Sequence, residues 1–203
     1  MKCTNHVDLL RGLGASAEVI EWCEGRGSEE AWRDCQRGDW MLWIASKSRV
    51  DRKRIVRAIC DCVEPALRFV PDGEGRPRAA IDTARAWCRG LATHEEVWAA
   101  ASAAADASVG SDAADAAYAT AYATAYAAAA AAAAAYAAND AAYADAAAVA
   151  THAADAVVAV AAAYATSAAD DAARLQSLAA SADIVRRHIP WDVVREALSK
   201  LEA

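Results

Sequence analysis

The chain has 203 residues, of which 57% are hydrophobic, and a net charge of −7, enough length to bury a core without disulfides or bound metal. Much of the hydrophobic fraction is alanine, which buries little surface and favours helix because it loses no side-chain entropy. Residues 1–98 carry 16 basic and 16 acidic side chains whereas residues 99–203 carry 5 and 12, so the second half repels phosphate backbones and duplex nucleic acid is not expected as its partner.

In the first half, apolar residues recur at spacings of three and four, predicting short amphipathic helices over 16–23, 29–35, 40–47, 52–69 and 77–89. Ser28 before Glu29 and Glu30, Asp51 before a basic run, and Thr93 paired with Glu96 read as helix starts. Pro65 removes a helical hydrogen bond and so kinks or ends the fourth helix. Pro71, Asp72, Gly73, Glu74 and Gly75 form a loop, after which Pro77 suits a first helical turn.

Beyond Thr93 helix propensity is uniformly high. Caps at Gly110-Ser111, Asn139-Asp140 and Thr166-Ser167 divide the chain into helices near 94–108, 112–138, 140–165, 168–188 and 191–201. Between Ala99 and Ala173 there is no Leu, Ile, Met, Phe or Trp, only five Val and all six Tyr as larger apolar side chains. Tyr118, Tyr122, Tyr126 and Tyr136 fall within about 80° of one helix face. Alanine flanking such a stripe lets helix axes approach to about 8 Å, which predicts a long antiparallel hairpin. Trp191 and Val194, on the proline-started last helix, are expected to dock onto the N-terminal core.

The 23 uncharged residues from Ala116 to Ala138 are long enough to span a bilayer, but 17 Ala, four Tyr and two Thr give little transfer energy, so no membrane span is expected. The six cysteines do not suggest a disulfide framework, because the start MKCTNHVDLLRG lacks an apolar signal segment. Reduced, buried thiols in a cytoplasmic protein are the expectation. Cys60 and Cys62, two apart on a helix, do not face each other and no second pair completes four ligands; no metal or cofactor is expected.

Arg76 and Arg78 at a helix start, with Arg85 on the face of Arg78, suit an anion such as a nucleotide; the same arginines can instead pair with Asp82, Asp61 or Glu64 and tie two helices together. Trp40 and Trp43, three residues apart, present an aromatic face to a ligand or to the core. His152, with only Asp155 nearby, reads more readily as an interhelical hydrogen-bonding group than as a catalytic base.

The segment Glu74-Gly75-Arg76-Pro77-Arg78-Ala79-Ala80-Ile81-Asp82-Thr83-Ala84-Arg85-Ala86-Trp87-Cys88-Arg89-Gly90 resembles the Imm5-like immunity proteins, with their loop, RPR start, alternating helix and terminal W-x-R-G. The resemblance extends more weakly to about residue 165 through Ala150-Thr151-His152-Ala153 and Ala162-Ala163-Tyr164-Ala165, but the second histidine common in that family is missing. It implies a protein that neutralises a bacterial toxin by direct binding.

The expected architecture is all-α: a multi-helix bundle with a long alanine- and tyrosine-rich hairpin, in one domain or divided near residue 93 into 1–92 and 93–203. The expected function is non-enzymatic binding of a protein partner, the toxin of the family resemblance. An anionic small molecule held by Arg76, Arg78 and Arg85 with Trp40 or Trp43 is the second reading. Self-association through the tyrosine face, as a homodimer, is the third.

Overall fold

The computed structural model describes residues 6–109 and 171–201; over these the chain is all-α, with nine α-helices, one 3-10 helix and no strand. Three one- to two-turn helices, α1 (His6–Gly12), α2 (Ala17–Cys23) and α3 (Ser28–Asp34), precede α4 (Gly38–Lys47) and α5 (Arg52–Val63). A 3-10 helix (Glu64–Phe69) then leads to α6 (Arg76–Cys88) and α7 (His94–Val109), and the C-terminal pair is α8 (Asp171–His188) and α9 (Trp191–Leu201). Among these helices none is long and apolar enough to cross a membrane. The expected helices over 112–138 and 140–165, with the hairpin they form, lie outside the described residues.

Side-chain caps start three of the helices, two of them at the positions the sequence singles out, Asp51 and Thr93 with Glu96. Ser16 accepts the Val19 N–H at 3.4 Å. Asp51 accepts that of Arg54 at 3.1 Å. Thr93 and Glu96 form a reciprocal capping box, at 3.2 and 2.7 Å. At the third helix the cap is one residue earlier than expected: Gly27 precedes the first turn, and its N–H donates to the Glu30 carboxylate at 3.4 Å. Pro65 divides the predicted 52–69 helix, as its missing N–H requires: α5 stops at Val63 and Pro65 enters the first turn of the 3-10 helix.

One core joins both ends of the chain. Met41 and Leu42 of α4, Ile55 and Ile59 of α5 and Ile81 of α6 are buried with Leu178, Ala182 and Val185 of α8 and Val194 of α9. Each large side chain so enclosed contributes about 1.5–3 kcal/mol of apolar transfer. Trp191 packs half-buried against the same cluster, so the last helix does dock on the N-terminal layer. The contact between α4 and α8 is close: an added Cβ at Gly38 would meet Ser181 Cβ at 2.6 Å and the Ala182 nitrogen at 2.8 Å. Only a glycine there lets the α4 backbone lie against α8. A smaller cluster, Val7, Leu10, Val19, Cys23 and Ala31, closes α1–α3. Between α6 and α7 the buried residues are alanines, Ala80, Ala101 and Ala104, small side chains that permit close helix approach.

Candidate functional site

The RPR segment forms the start of α6, with Pro77 buried in its first turn. Its exposed N-terminus already carries an anion from the same chain: the Glu74 carboxylate accepts the Arg76 N–H at 2.9 Å and pairs with the Arg76 guanidinium. Those hydrogen bonds hold the Glu74 carboxyl down at about 2. Arg85, further along α6, is equally engaged. Its Nη2 lies 2.6 Å from Asp61 Oδ1 and 2.7 Å from Glu64 Oε2, and Arg78 reaches Glu64 at 3.5 Å. The other Asp61 oxygen lies 2.7 Å from His188 Nε2 on α8. Burial pushes the Asp61 carboxyl up, but hydrogen bonds from Arg85 and His188 outweigh it and hold it below the usual range. The Arg85 hydrogen bond does the same for Glu64. Arg78, Arg85, Asp61, Glu64 and His188 thus tie α5, the 3-10 helix, α6 and α8 together. This is the interhelical pairing allowed by the sequence, and it engages the cations that an anionic ligand would need.

The end of α6 explains the W-x-R-G pattern locally. Gly90 adopts a left-handed φ of 75°, its N–H donates to the Trp87 carbonyl at 2.9 Å, and the Leu91 N–H donates to the Ala86 carbonyl at 2.9 Å. These are the two bonds of a Schellman cap, in which the residue after glycine ordinarily covers the side chain five positions back. Here that side chain is only Ala86, and Leu91 is left 74% exposed. Trp98, on the second turn of α7, is 55% exposed. Leu91 lies in the α6–α7 connection and Trp98 on the helix that follows it, with exposed Arg89, Glu95 and Glu96 as sequence neighbours.

Trp40 and Trp43 separate by environment. Trp40 lines a small apolar cavity with Trp22, Trp32 and Trp191, and its ring carries the Arg37 guanidinium at 4.3 Å. Trp43 does not line that cavity and faces Lys47 at 5.7 Å. The arginines of α6 do not line it either, so Arg76, Arg78 and Arg85 and the tryptophans of α4 do not form one composite site. A roomier groove, about 350 Å³, lies between the α4–α5 connection and α9; Arg49, Arg54 and Lys200 line it together with Asp51 and Glu196, so its walls mix both signs of charge.

The described cysteines, Cys23, Cys35, Cys60, Cys62 and Cys88, are free and buried. Burial pushes the Cys35 thiol up to about 11 and those of Cys60 and Cys62 up to about 12, so they stay protonated and inert at neutral pH. Cys60 and Cys62 point apart, toward the Ile81 and Ser181 carbonyls respectively, as two-residue spacing on a helix requires. Among the described residues no cluster of His, Cys, Asp or Glu is arranged to hold a metal ion. Tyr118, Tyr122, Tyr126, Tyr136 and His152 lie outside the described residues.

Sequence reasoning missed Leu91 and Trp98 as candidate groups. Helical periodicity treats an isolated tryptophan as core, and nothing in it separates Trp98, which is exposed, from Trp87, which packs half-buried against the core. In comparisons with known proteins, no family model, no curated protein and no solved structure matches the chain.

Proposed function

We propose that the chain is a non-catalytic binding protein whose partner is a different, cationic protein, in the manner of the toxin-neutralising immunity proteins that residues 74–90 resemble. The observation that carries this reading is the exposure of Trp98 on the second turn of α7, with Leu91 exposed in the α6–α7 connection that precedes it. A large aromatic side chain held in solvent by a rigid helix is the kind of group that dominates protein interfaces. The sequence neighbours of these side chains are Arg89 beside Leu91, and Glu95 and Glu96 before Trp98, all exposed and a net negative set; with each chain at −7, this favours a cationic partner over a second copy. Capture of a nucleotide-like anion by Arg76, Arg78 and Arg85 has less support, because all three are ion-paired within the chain.

The test is co-expression with toxic effectors encoded beside the gene. The reading expects the wild-type chain to relieve growth arrest by one of them, and Trp98→Glu to lose the relief while keeping the wild-type melting temperature. Relief by neither protein overturns the immunity role, and equal relief by both removes the Leu91–Trp98 surface as the contact.

A further inference from the structure

We propose that the exposed face of the first two turns of α5 is a docking surface for an acidic segment of another protein, held by Lys53, Arg54 and Arg57. In a chain of net charge −7, residues 47–57 carry six cations and one carboxylate. That carboxylate, Asp51, already accepts the Arg54 backbone N–H at 3.1 Å as the cap of α5. Arg52, Lys53 and Arg54 fill the first turn of the helix, and no acidic residue stands there, although the macrodipole favours anions at that end and opposes cations. The stability of α5 itself therefore does not account for the charge. Arg49, exposed in the connection before α5, adds to it from a left-handed φ of 61°, a conformation that costs less for glycine.

The contacts of these exposed side chains orient them without neutralising them. Arg54 Nη1 donates to the His188 carbonyl at the end of α8 at 3.1 Å, and Arg57 Nη2 donates to the Cys88 carbonyl at the end of α6 at 3.4 Å. Both acceptors are helix C-termini, where a cation is favoured, and each contact uses one of a guanidinium's five N–H donors. Lys53 lies over the Trp87 ring, 5.9 Å from its centroid. Among the described residues none of the three pairs with a carboxylate. The far end of the same helix is different. Asp61, four residues after Arg57 and on its face, takes Arg85 and His188 instead, and Glu64 takes Arg85 and Arg78. The carboxylates of α5 are thus matched from within the chain and its cations are not. A partner's carboxylates supply the missing countercharge, and arginines already held in place lose less freedom on binding them.

A protein segment fits this face better than a nucleic acid or a second copy. Lys53 to Arg57 spans about 6 Å of helix, room for a few carboxylates, whereas a longer polyanion meets the repulsion of a chain that is −7 overall. The aromatic ring at this face, Trp87, is half-buried under Lys53 and offers a base little to stack on. Two copies at −7 repel each other. Screening sets in over about 8 Å at physiological ionic strength, so the local positive charge, not the net negative one, decides a short contact.

This face shares no residue with the Leu91–Trp98 surface, so either can fail alone, and Trp98→Glu should leave peptide binding unchanged. Labelled hexaglutamate, hexaglutamine and hexathymidylate, titrated with the full chain and read by fluorescence anisotropy, test the assignment. Hexaglutamate is expected to bind, more weakly as salt rises from about 50 to about 300 mM; hexaglutamine is expected not to bind, and hexathymidylate to bind more weakly than hexaglutamate. Lys53→Gln and Arg57→Gln should each weaken hexaglutamate about 2- to 5-fold, the worth of one exposed ion pair. Arg33→Gln, which removes an exposed cation of α3 paired with Asp34, should leave it unchanged. Lys53→Gln removes only a ring contact and keeps the test available if Arg57→Gln does not fold. Failure of hexaglutamate to bind, or binding that the α5 variants leave untouched, overturns the proposal. Tighter binding of hexathymidylate gives the face to a nucleic acid, and a mass that doubles with concentration in the wild type but not in Lys53→Gln gives it to a second copy; either result overturns it too.

Discussion

Replacing Gly38 by alanine tests how the two ends of the chain are joined. The new Cβ would sit 2.6 Å from Ser181 Cβ and 2.8 Å from both the Ser181 carbonyl carbon and the Ala182 nitrogen, where ordinary contacts are near 3.5–4 Å. Two of those three atoms are backbone of α8, so no side-chain rotation relieves the clash. Helix α8 must retreat by several tenths of an ångström at least, loosening Leu178, Ala182 and Val185 from Met41 and Leu42. Overpacking of this kind costs about 1–3 kcal/mol, and contact with backbone places it in the upper part of that range. Alanine's helix propensity returns up to about 1 kcal/mol in a helix interior, less at the first residue of α4. The expected net loss is about 1.5–2.5 kcal/mol, a fall in melting temperature of roughly 3–10 °C for a chain this long. Thermal and urea unfolding measure it, with Gly12→Ala as the control, because a Cβ at Gly12 meets nothing within 4 Å. A Gly38→Ala protein that melts at or above the wild-type temperature refutes the close α4–α8 contact.

The other stability predictions concern charge and thiols. Arg85→Met leaves Asp61 and Glu64 without their shared cation, and since these groups are partly solvated the loss at neutral pH is about 1–2 kcal/mol, between surface and buried values. Both carboxyls titrate below their ordinary 3.8 and 4.5 when folded, so the stability they contribute is present above those values and is lost as pH falls through the folded ones. Urea unfolding from pH 7 to pH 3 should therefore show the gap between wild type and Arg85→Met closing below about pH 4; a gap that stays constant contradicts the network. With five buried, protonated cysteines, no more than one thiol of the six should react rapidly with a disulfide reagent at neutral pH, and all six after unfolding. Rapid native reaction of two or more contradicts the burial.

The helical fold was legible because its signals are local. Asp51 and the Thr93–Glu96 pair cap the helices they start, and Pro65 and Pro77 stand where a missing N–H is tolerated. Helix α1 was not legible: its apolar contribution to the core is Val7 and Leu10, too short a pattern to stand out, and its stability comes from packing on α2 and α3. The candidate sites were harder, because a tryptophan or an arginine reads the same whether or not the fold gives it a partner. Arg85 and Asp61 are 24 residues apart in the chain, and His188 lies 127 from Asp61; only the packing of α5 against α6 and α8 brings the three together. Likewise, that Trp32 keeps an unpartnered N–H while Trp22 donates to Ala31 depends on ring orientations that periodicity does not contain.

The central claim is that the Leu91–Trp98 surface is kept for a different protein. Light scattering across a wide concentration range, on the wild-type chain and on Trp98→Glu, tests it most directly before any partner is in hand. The account predicts the mass of a single chain for both proteins at every concentration. A dimer that grows with concentration in the wild type and disappears in Trp98→Glu would give that surface to a second copy and contradict the claim.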